Sequence, residues 1–127
     1  MNKFEDILND ITLEEKHPND RVLLIDGLNI FLRAFAVNGS LNEKGVPVGG
    51  ITGFMKSLAF AIREMSPTRV VVVYDGAGGS KRRKKINPNY KSNRTPKRVT
   101  KFDAFNSLEE EKESMKIQFR RLLTYLE

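Results

Sequence analysis

The chain has 127 residues, of which 39% are hydrophobic and 30% charged, enough for one domain with a packed core. It has no cysteine and a single histidine, His17, which excludes disulfides, a thiolate zinc site, a cysteine nucleophile and a histidine-based metal site. No apolar run approaches the ~20 residues that span a bilayer, and the N-terminus carries no export signal, so we expect a cytoplasmic protein without a membrane partner.

The positive charge is concentrated in one stretch. Between Lys81 and Lys101 there are ten lysines and arginines and no acidic residue. The formal net charge is +6, so the rest of the chain carries −4. An acidic body with one strongly basic stretch indicates a polyanionic partner, because charge spread evenly would only aid solubility.

The first predicted elements are a helix and a strand. Apolar residues at helical spacing predict a lead-in helix over 3–16, which Pro18 ends. Residues 21–25 (RVLLI) then form a continuous apolar run of strand length. A run without alternation is typical of a strand buried on both faces. The strand is followed by Asp26-Gly27.

Two helices and a second strand come next. Residues 28–37 predict a helix, 38–50 a loop rich in glycine and asparagine, and 51–65 a helix with an apolar side. Residues 69–74 (RVVVVY) are the strongest strand candidate in the chain. This strand also leads into an Asp-Gly pair, at Asp75.

The C-terminal part contains a basic segment, defined as residues 79–101, and a final helix over 107–127. Pro88 and Pro96 limit the basic segment to short helices at most. Ser107 and Glu110 form a capping box at the start of the final helix, and the glutamates there suit the helix dipole and a solvated helix start.

This order of elements predicts an α/β fold in which helices flank a parallel sheet, because a strand, crossover and strand pair in parallel. A sheet of only two strands leaves both edges unpaired. We therefore expect residues 1–127 to be the N-terminal portion of a longer domain, as a fragment, a truncated product or one half of a split protein.

Asp26 and Asp75 occupy equivalent places at the ends of the two strands. Ligands bind at the carboxyl ends of parallel strands, and two neighbouring carboxylates there favour a hard divalent cation such as Mg²⁺. For either residue alone, a simple Asp-Gly turn is the more common explanation. Their pairing beside a polyanion-binding segment favours metal-assisted phosphodiester chemistry, which takes two ions and more carboxylates than these two.

The basic segment is predicted to grip the sugar-phosphate backbone. Lysine and arginine neutralise phosphates, and Tyr90 can stack on an exposed base. The alternatives are a solvated loop and a localisation signal. The predicted nucleic-acid-binding residues are Lys81, Arg82, Arg83, Lys84, Lys85, Tyr90, Lys91, Arg94, Lys97 and Arg98.

Four stretches of the chain are similar to one known family. They are LLIDGLNIFLRAF (23–35), GGITGFMKSLAFAIREM (49–65), VVVVYDG (70–76) and NPNYKSNR (87–94). Together they resemble the N-terminal half of the 5′→3′ exonuclease and flap endonuclease family, which includes the nuclease domain of bacterial DNA polymerase I and the ribonuclease H of tailed phages. The lead-in helix looks more like the phage branch, which would make a host cytoplasm the location.

The resemblance implies a PIN-like 5′-nuclease fold with a helical-arch insertion, a Mg²⁺ or Mn²⁺ cofactor and two ions in the complete site. It implies that Asp26 and Asp75 are metal ligands and that Arg33 and Lys91 act at the scissile phosphate. The basic segment becomes the arch that grips the single-stranded 5′ end of DNA or RNA–DNA. Arg33 read alone is an ordinary exposed helix arginine.

The family's later acidic ligands, in a Glu-x-Asp-Asp element and a further strand, do not occur in the 127 residues. Three interpretations are considered: a replication 5′-nuclease that removes primers or flaps and lacks part of its site here, a non-catalytic nucleic-acid-binding remnant, and another PIN-type nuclease, against which the YKSNR element (90–94) argues. The first predicts that the remainder of the nuclease domain is a partner, as a separate chain.

Overall fold

The computed structural model describes residues 2–13, 17–75 and 98–127. These residues form four helices and two strands. In chain order they are α1 (Lys3–Leu13), β1 (Val22–Asp26), α2 (Gly27–Val37), α3 (Gly49–Met65), β2 (Arg69–Val73) and α4 (Leu108–Leu126).

β1 and β2 pair in parallel, as the sequence predicts, and form a two-stranded sheet within the described residues. Leu23 lies opposite Val70 and Asp26 lies opposite Val73. The architecture of helices packed against a parallel sheet is compatible with the predicted α/β class.

The prediction that β1 is buried on both faces is wrong for the described residues. Ile25 points into the core, whereas Leu24, on the other face, is 69% exposed. Val73 is 55% exposed on the same outer face of β2. The helices described here pack on one face only, because α2, α3 and α4 all lie on the side of Leu23 and Ile25.

Phenylalanine dominates the core between α2, α3 and the chain that precedes α4. Phe31, Phe35, Phe54 and Phe105 are all essentially buried, and Leu122 of α4 joins them. The rings of Phe35 and Phe105 stack with centroids 5.9 Å apart. Each fully buried side chain of this size contributes roughly 1.5–3 kcal/mol by leaving water, so the cluster is the main attachment of α4 to the rest of the fold.

The glycine pair predicted in the loop over 38–50 lies instead in the first turn of α3. A Cβ on Gly49 would come within 1.7 Å of the Asn38 carbonyl oxygen, and one on Gly50 within 2.6 Å of a Phe31 ring carbon. Glycine is therefore required by the close approach of α3 to α2. Glycine's low helix propensity hides such a position from a sequence-based prediction, which favours a loop.

α1 covers residues 3–13 of the predicted lead-in helix, and residues 14–16 lie outside the described part. Its apolar residues Phe4, Ile7 and Leu8 are exposed. Among the described residues, no helix is long and apolar enough to cross a membrane.

The start of α4 follows the predicted cap with one difference. The Ser107 hydroxyl accepts a hydrogen bond from the Glu110 amide at 3.1 Å. The Glu110 carboxylate in return accepts from the amide of Asn106 at 3.2 Å, one residue before the position of a capping box. These two bonds define where α4 begins, seven residues after the end of the basic segment at Lys101.

Candidate functional site

Asp26 stands at the boundary between β1 and α2. It is the last residue of β1 and the N-cap of α2, where its carboxylate accepts a hydrogen bond from the Asn29 amide at 3.2 Å. An N-cap carboxylate satisfies a backbone donor that the helix leaves unpaired and complements the helix dipole. Asp26 is exposed. The bond to Asn29 involves one carboxylate oxygen, Oδ1, and a metal ion can use the other.

Asp75 lies at the same edge of the sheet. It follows Val73, the partner of Asp26 in the parallel ladder, by two residues and is exposed. The two aspartates therefore come from adjacent strand ends, where a parallel sheet presents its ligands. Carboxylate oxygens are the ligand type that Mg²⁺ prefers, so this pair suits such an ion chemically.

Two carboxylates are fewer than a two-ion site needs. In residues 2–13, 17–75 and 98–127, no cluster of three or more His, Cys, Asp or Glu side chains has the geometry to hold a metal. Asp26 and Asp75 remain predicted metal ligands that need further carboxylates.

Arg33 is on the same side of α2 as Asp26. It follows Asp26 by seven residues, which is close to two helical turns, or about 10 Å along the axis. Its side chain is exposed. The role of Arg33 at the scissile phosphate therefore remains a prediction.

Most of the predicted nucleic-acid-binding residues lie outside the described part of the chain. These are Lys81, Arg82, Arg83, Lys84, Lys85, Tyr90, Lys91, Arg94 and Lys97. The structure does describe the residues on either side, which end at Asp75 and resume at Arg98.

Asp75 and the residues from Arg98 onwards lie at two different positions along α2. Asp75 is at the carboxyl edge of the sheet, level with the start of α2. At the other end, the Lys101 amide donates to the Ala36 carbonyl oxygen at 2.7 Å, near the C-terminus of α2. Asp26 and Ala36 are ten residues apart, or about 15 Å along the helix. The described chain therefore ends at Asp75, at the carboxyl edge of the sheet, and resumes with residues that lie near the far end of α2.

Glu111 holds the returning chain. The residue is 1% exposed, and its carboxylate accepts hydrogen bonds from the Val99 amide at 2.5 Å and from the Thr100 hydroxyl at 2.5 Å. The Thr100 amide lies 3.5 Å from Oε2, and the Arg98 Nε lies 3.8 Å from the same oxygen. Burial raises the pKa of the Glu111 carboxyl, but the bonds from Thr100 and Val99 and the charge of Arg98 outweigh it, so this pKa lies below the ordinary glutamate value.

The Arg98 side chain makes contacts inside the protein and is also partly exposed to solvent. Its guanidinium donates to the Phe105 carbonyl oxygen and pairs with Glu111, and its side chain stays 42% exposed. These internal contacts hold the guanidinium, while part of the side chain stays accessible to solvent. A contact of Arg98 with nucleic acid thus remains a prediction, and its main described partners are internal.

Two polar residues of α4, Glu111 and Gln118, are buried. The sequence pattern predicts a solvated helix start for Glu111 and no particular role for Gln118. Gln118 accepts from the Gly50 amide at 2.8 Å and so caps the start of α3. The spacing of 111, 115, 118 and 122 is that of one helix face and was a usable signal. Polar residues on an apolar stripe indicate buried hydrogen bonds.

Comparison with known proteins supports the assignment that the residues suggest. The family model described as 5′-3′ exonuclease, N-terminal resolvase-like domain, matches residues 21–125. A 5′-3′ exonuclease of Bacillus subtilis (strain 168) is 34% identical over 97 residues, which cover 72% of this chain and 32% of that protein. A thermostable DNA polymerase I of Thermus thermophilus is 39% identical over 80 residues, covering 62% of this chain and 10% of the polymerase.

The DNA polymerase I of Borreliella burgdorferi is 36% identical over 74 residues, covering 56% of this chain and 8% of the polymerase. No solved structure matches the chain. The chain thus spans about a third or less of the length of these relatives. Since the family model covers almost all of the sheet, the core helices and the basic region, the chain belongs to the 5′-3′ exonuclease family, in its N-terminal resolvase-like domain.

Proposed function

We propose that this chain supplies the first two metal ligands and the substrate-gripping segment of a divalent-metal-dependent 5′-3′ exonuclease or flap endonuclease. Its substrate is DNA or RNA–DNA with a single-stranded 5′ end, as in primer or flap removal during replication. The observation that carries the proposal is the location of Asp26 and Asp75 at one sheet edge, with the basic segment following Asp75 closely in the sequence.

The proposed chemistry is hydrolysis of a phosphodiester. Mg²⁺ or Mn²⁺, as a pair of ions in the complete site, would activate a water and stabilise the leaving oxygen. The chain's own residues would bind and orient. Asp26 and Asp75 hold metal, Arg33 and Lys91 contact the scissile phosphate, and the other cations of the basic segment neutralise the strand that enters.

The remaining acidic ligands would come from the rest of the nuclease domain, on the same or a separate polypeptide. The shortage of carboxylates among the described residues also favours a second candidate, a nucleic-acid-binding chain without catalysis. Both candidates bind nucleic acid through the basic segment. They differ in whether the nucleic acid is cleaved once the rest of the nuclease domain is added.

A fluorescent 5′-flap substrate separates the candidates. The purified chain should bind the flap with an affinity that falls steeply as salt rises. With Mg²⁺ it should cleave weakly or not at all until the rest of the nuclease domain is added. Robust cleavage by the isolated chain would disprove the proposed incompleteness, and no cleavage with the complement would leave the binding function alone.

The grip is tested by Lys91→Ala combined with Arg94→Ala. The matched control is Lys56→Ala with Arg63→Ala, which removes the same charge from the exposed side of α3. Loss of two phosphate contacts should weaken binding and make the slope of log K against log[salt] shallower by about 1.4–1.8, depending on the strandedness of the DNA. If the two double variants weaken DNA binding equally, the assignment of Lys91 and Arg94 to the DNA-binding segment is wrong.

A further inference from the structure

One buried carboxylate joins α4 to the end of the basic segment. Residues 98–100 make hydrogen bonds and an ion pair to Glu111 and so attach the C-terminal end of that segment to α4. Glu111 sits on the buried face of α4 together with Gln118 and Leu122, which pack into the core. The core packing of α4 therefore also holds the Glu111 carboxylate in place.

The contacts of Glu111 exceed what a helix-start glutamate needs. Glu109 and Glu110 are exposed and can complement the dipole of α4. A buried charge is costly unless its hydrogen bonds are satisfied, and a neutral apolar residue would fill the same space without that cost. The carboxylate, unlike an apolar side chain, orients the chain at residues 99 and 100, because it accepts hydrogen bonds from two successive backbone amides and a hydroxyl there.

We propose that Glu111 is a positioning residue for nucleic-acid binding, which fixes residues 98–100 to α4 and thereby sets where Arg98 and Lys101, at the described end of the basic segment, can meet the substrate. The inference rests on the proposed function, since it assumes that the basic segment binds nucleic acid. It assigns Glu111 no contact with substrate or metal.

The physical reason is entropic. The Lys101–Ala36 bond and the Glu111 bonds hold the chain near Ala36, which lies about 15 Å along α2 from Asp26. If the Glu111 bonds are lost, the backbone at Val99 gains freedom that must be removed again when the substrate binds, whereas the Lys101–Ala36 bond still restrains the chain after Thr100. Ordering one residue costs a free energy equivalent to roughly a factor of ten in affinity.

Glu111→Gln removes the charge and nearly preserves the shape. Its control is Glu109→Gln, on the same helix turn, exposed, with the same change in net charge. Long-range electrostatics alone would make both variants bind DNA slightly more tightly, because both become more positive. Positioning predicts the opposite sign for Glu111→Gln, about tenfold weaker binding, with Glu109→Gln close to the unaltered chain.

Two measurements on the whole chain decide the matter. Amide hydrogen exchange at Val99 and Thr100 reports the anchor directly, and titration of a labelled single-stranded oligonucleotide reports affinity. Faster exchange with weaker binding in Glu111→Gln only is the expected result. Faster exchange with an affinity equal to that of Glu109→Gln would overturn the inference and leave the proposed function intact.

A second pair of variants covers the case in which Glu111→Gln fails to fold. Thr100→Val removes the hydroxyl that donates to Glu111, and Thr100→Ser keeps it. Thr100→Val should bind several-fold more weakly and Thr100→Ser like the unaltered chain, and equal affinities would overturn the inference. If the unaltered chain binds no oligonucleotide, the proposed function fails first and the inference falls with it.

Discussion

Asp26 has two separable roles, and a pair of substitutions distinguishes them. In the structure its carboxylate caps α2 through the Asn29 amide, and the same side chain is a proposed metal ligand. Asparagine caps a helix about as well as aspartate, whereas alanine does not cap. Asp26→Asn should therefore keep the fold and lose the metal function, and Asp26→Ala should lose both.

The expected size of the capping effect follows from the single hydrogen bond at 3.2 Å on an exposed residue. Replacing such a cap with alanine costs about 1 kcal/mol of unfolding free energy, or roughly 3–5 °C in Tm for a domain of this size. Asp26→Asn should lie within about 0.3 kcal/mol of the unaltered chain, because its amide oxygen can still accept from Asn29.

Urea unfolding with and without Mg²⁺ measures both roles. A metal that binds only the folded state stabilises it by RT ln(1 + [Mg²⁺]/Kd), so the unaltered chain should gain stability as Mg²⁺ rises. Both Asp26 variants should lose most of that gain. Asp103→Asn is the control, because it removes one negative charge from an exposed residue two positions after Lys101, whose amide bonds to Ala36 of α2.

Two results would refute the reasoning in different ways. If Asp26→Asn is destabilised as much as Asp26→Ala, the capping role is wrong. If Mg²⁺ stabilises Asp26→Asn as strongly as the unaltered chain and Asp103→Asn, then Asp26 is not a metal ligand.

Two further predictions concern the packing of α3 and the pH dependence of folding. Gly50→Ala places a Cβ 2.6 Å from a Phe31 ring carbon and 2.9 Å from the Gln118 amide oxygen, so the unfolding free energy should fall by about 1–2 kcal/mol in urea. Ser57→Ala, at an exposed position of α3, should change it little, and a Gly50→Ala protein at least as stable as the unaltered chain would contradict this packing. Glu111 has a lowered folded-state pKa, so its stabilisation is complete above the ordinary glutamate pKa of the unfolded chain and is lost as the pH falls through the lower folded-state pKa. Stability curves from pH 7 to pH 3 should therefore fall less steeply on the acid side for Glu111→Gln, and parallel curves would disprove the assignment.

The sequence by itself determined the features that depend on short stretches of chain. The strands before Asp26 and Asp75, the helices over most of their length, and the Ser107 cap follow from residue periodicity, β-branched runs and local hydrogen bonding. The parallel pairing also followed, because a helical crossover between two strands permits little else. These features were enough to place both aspartates at one edge of the sheet.

Only the tertiary structure decided which side chains are buried between elements. Glu111 and Gln118 look like ordinary polar helix residues until α4 is packed on α3 and on the chain leaving the basic segment. Gly49 and Gly50 look like a loop until α2 approaches α3 closely. The continuous apolar run of β1 indicated two covered faces, but the described helices cover one. The physical reason is common to all three, since burial depends on which elements pack together and no short stretch of sequence contains that information.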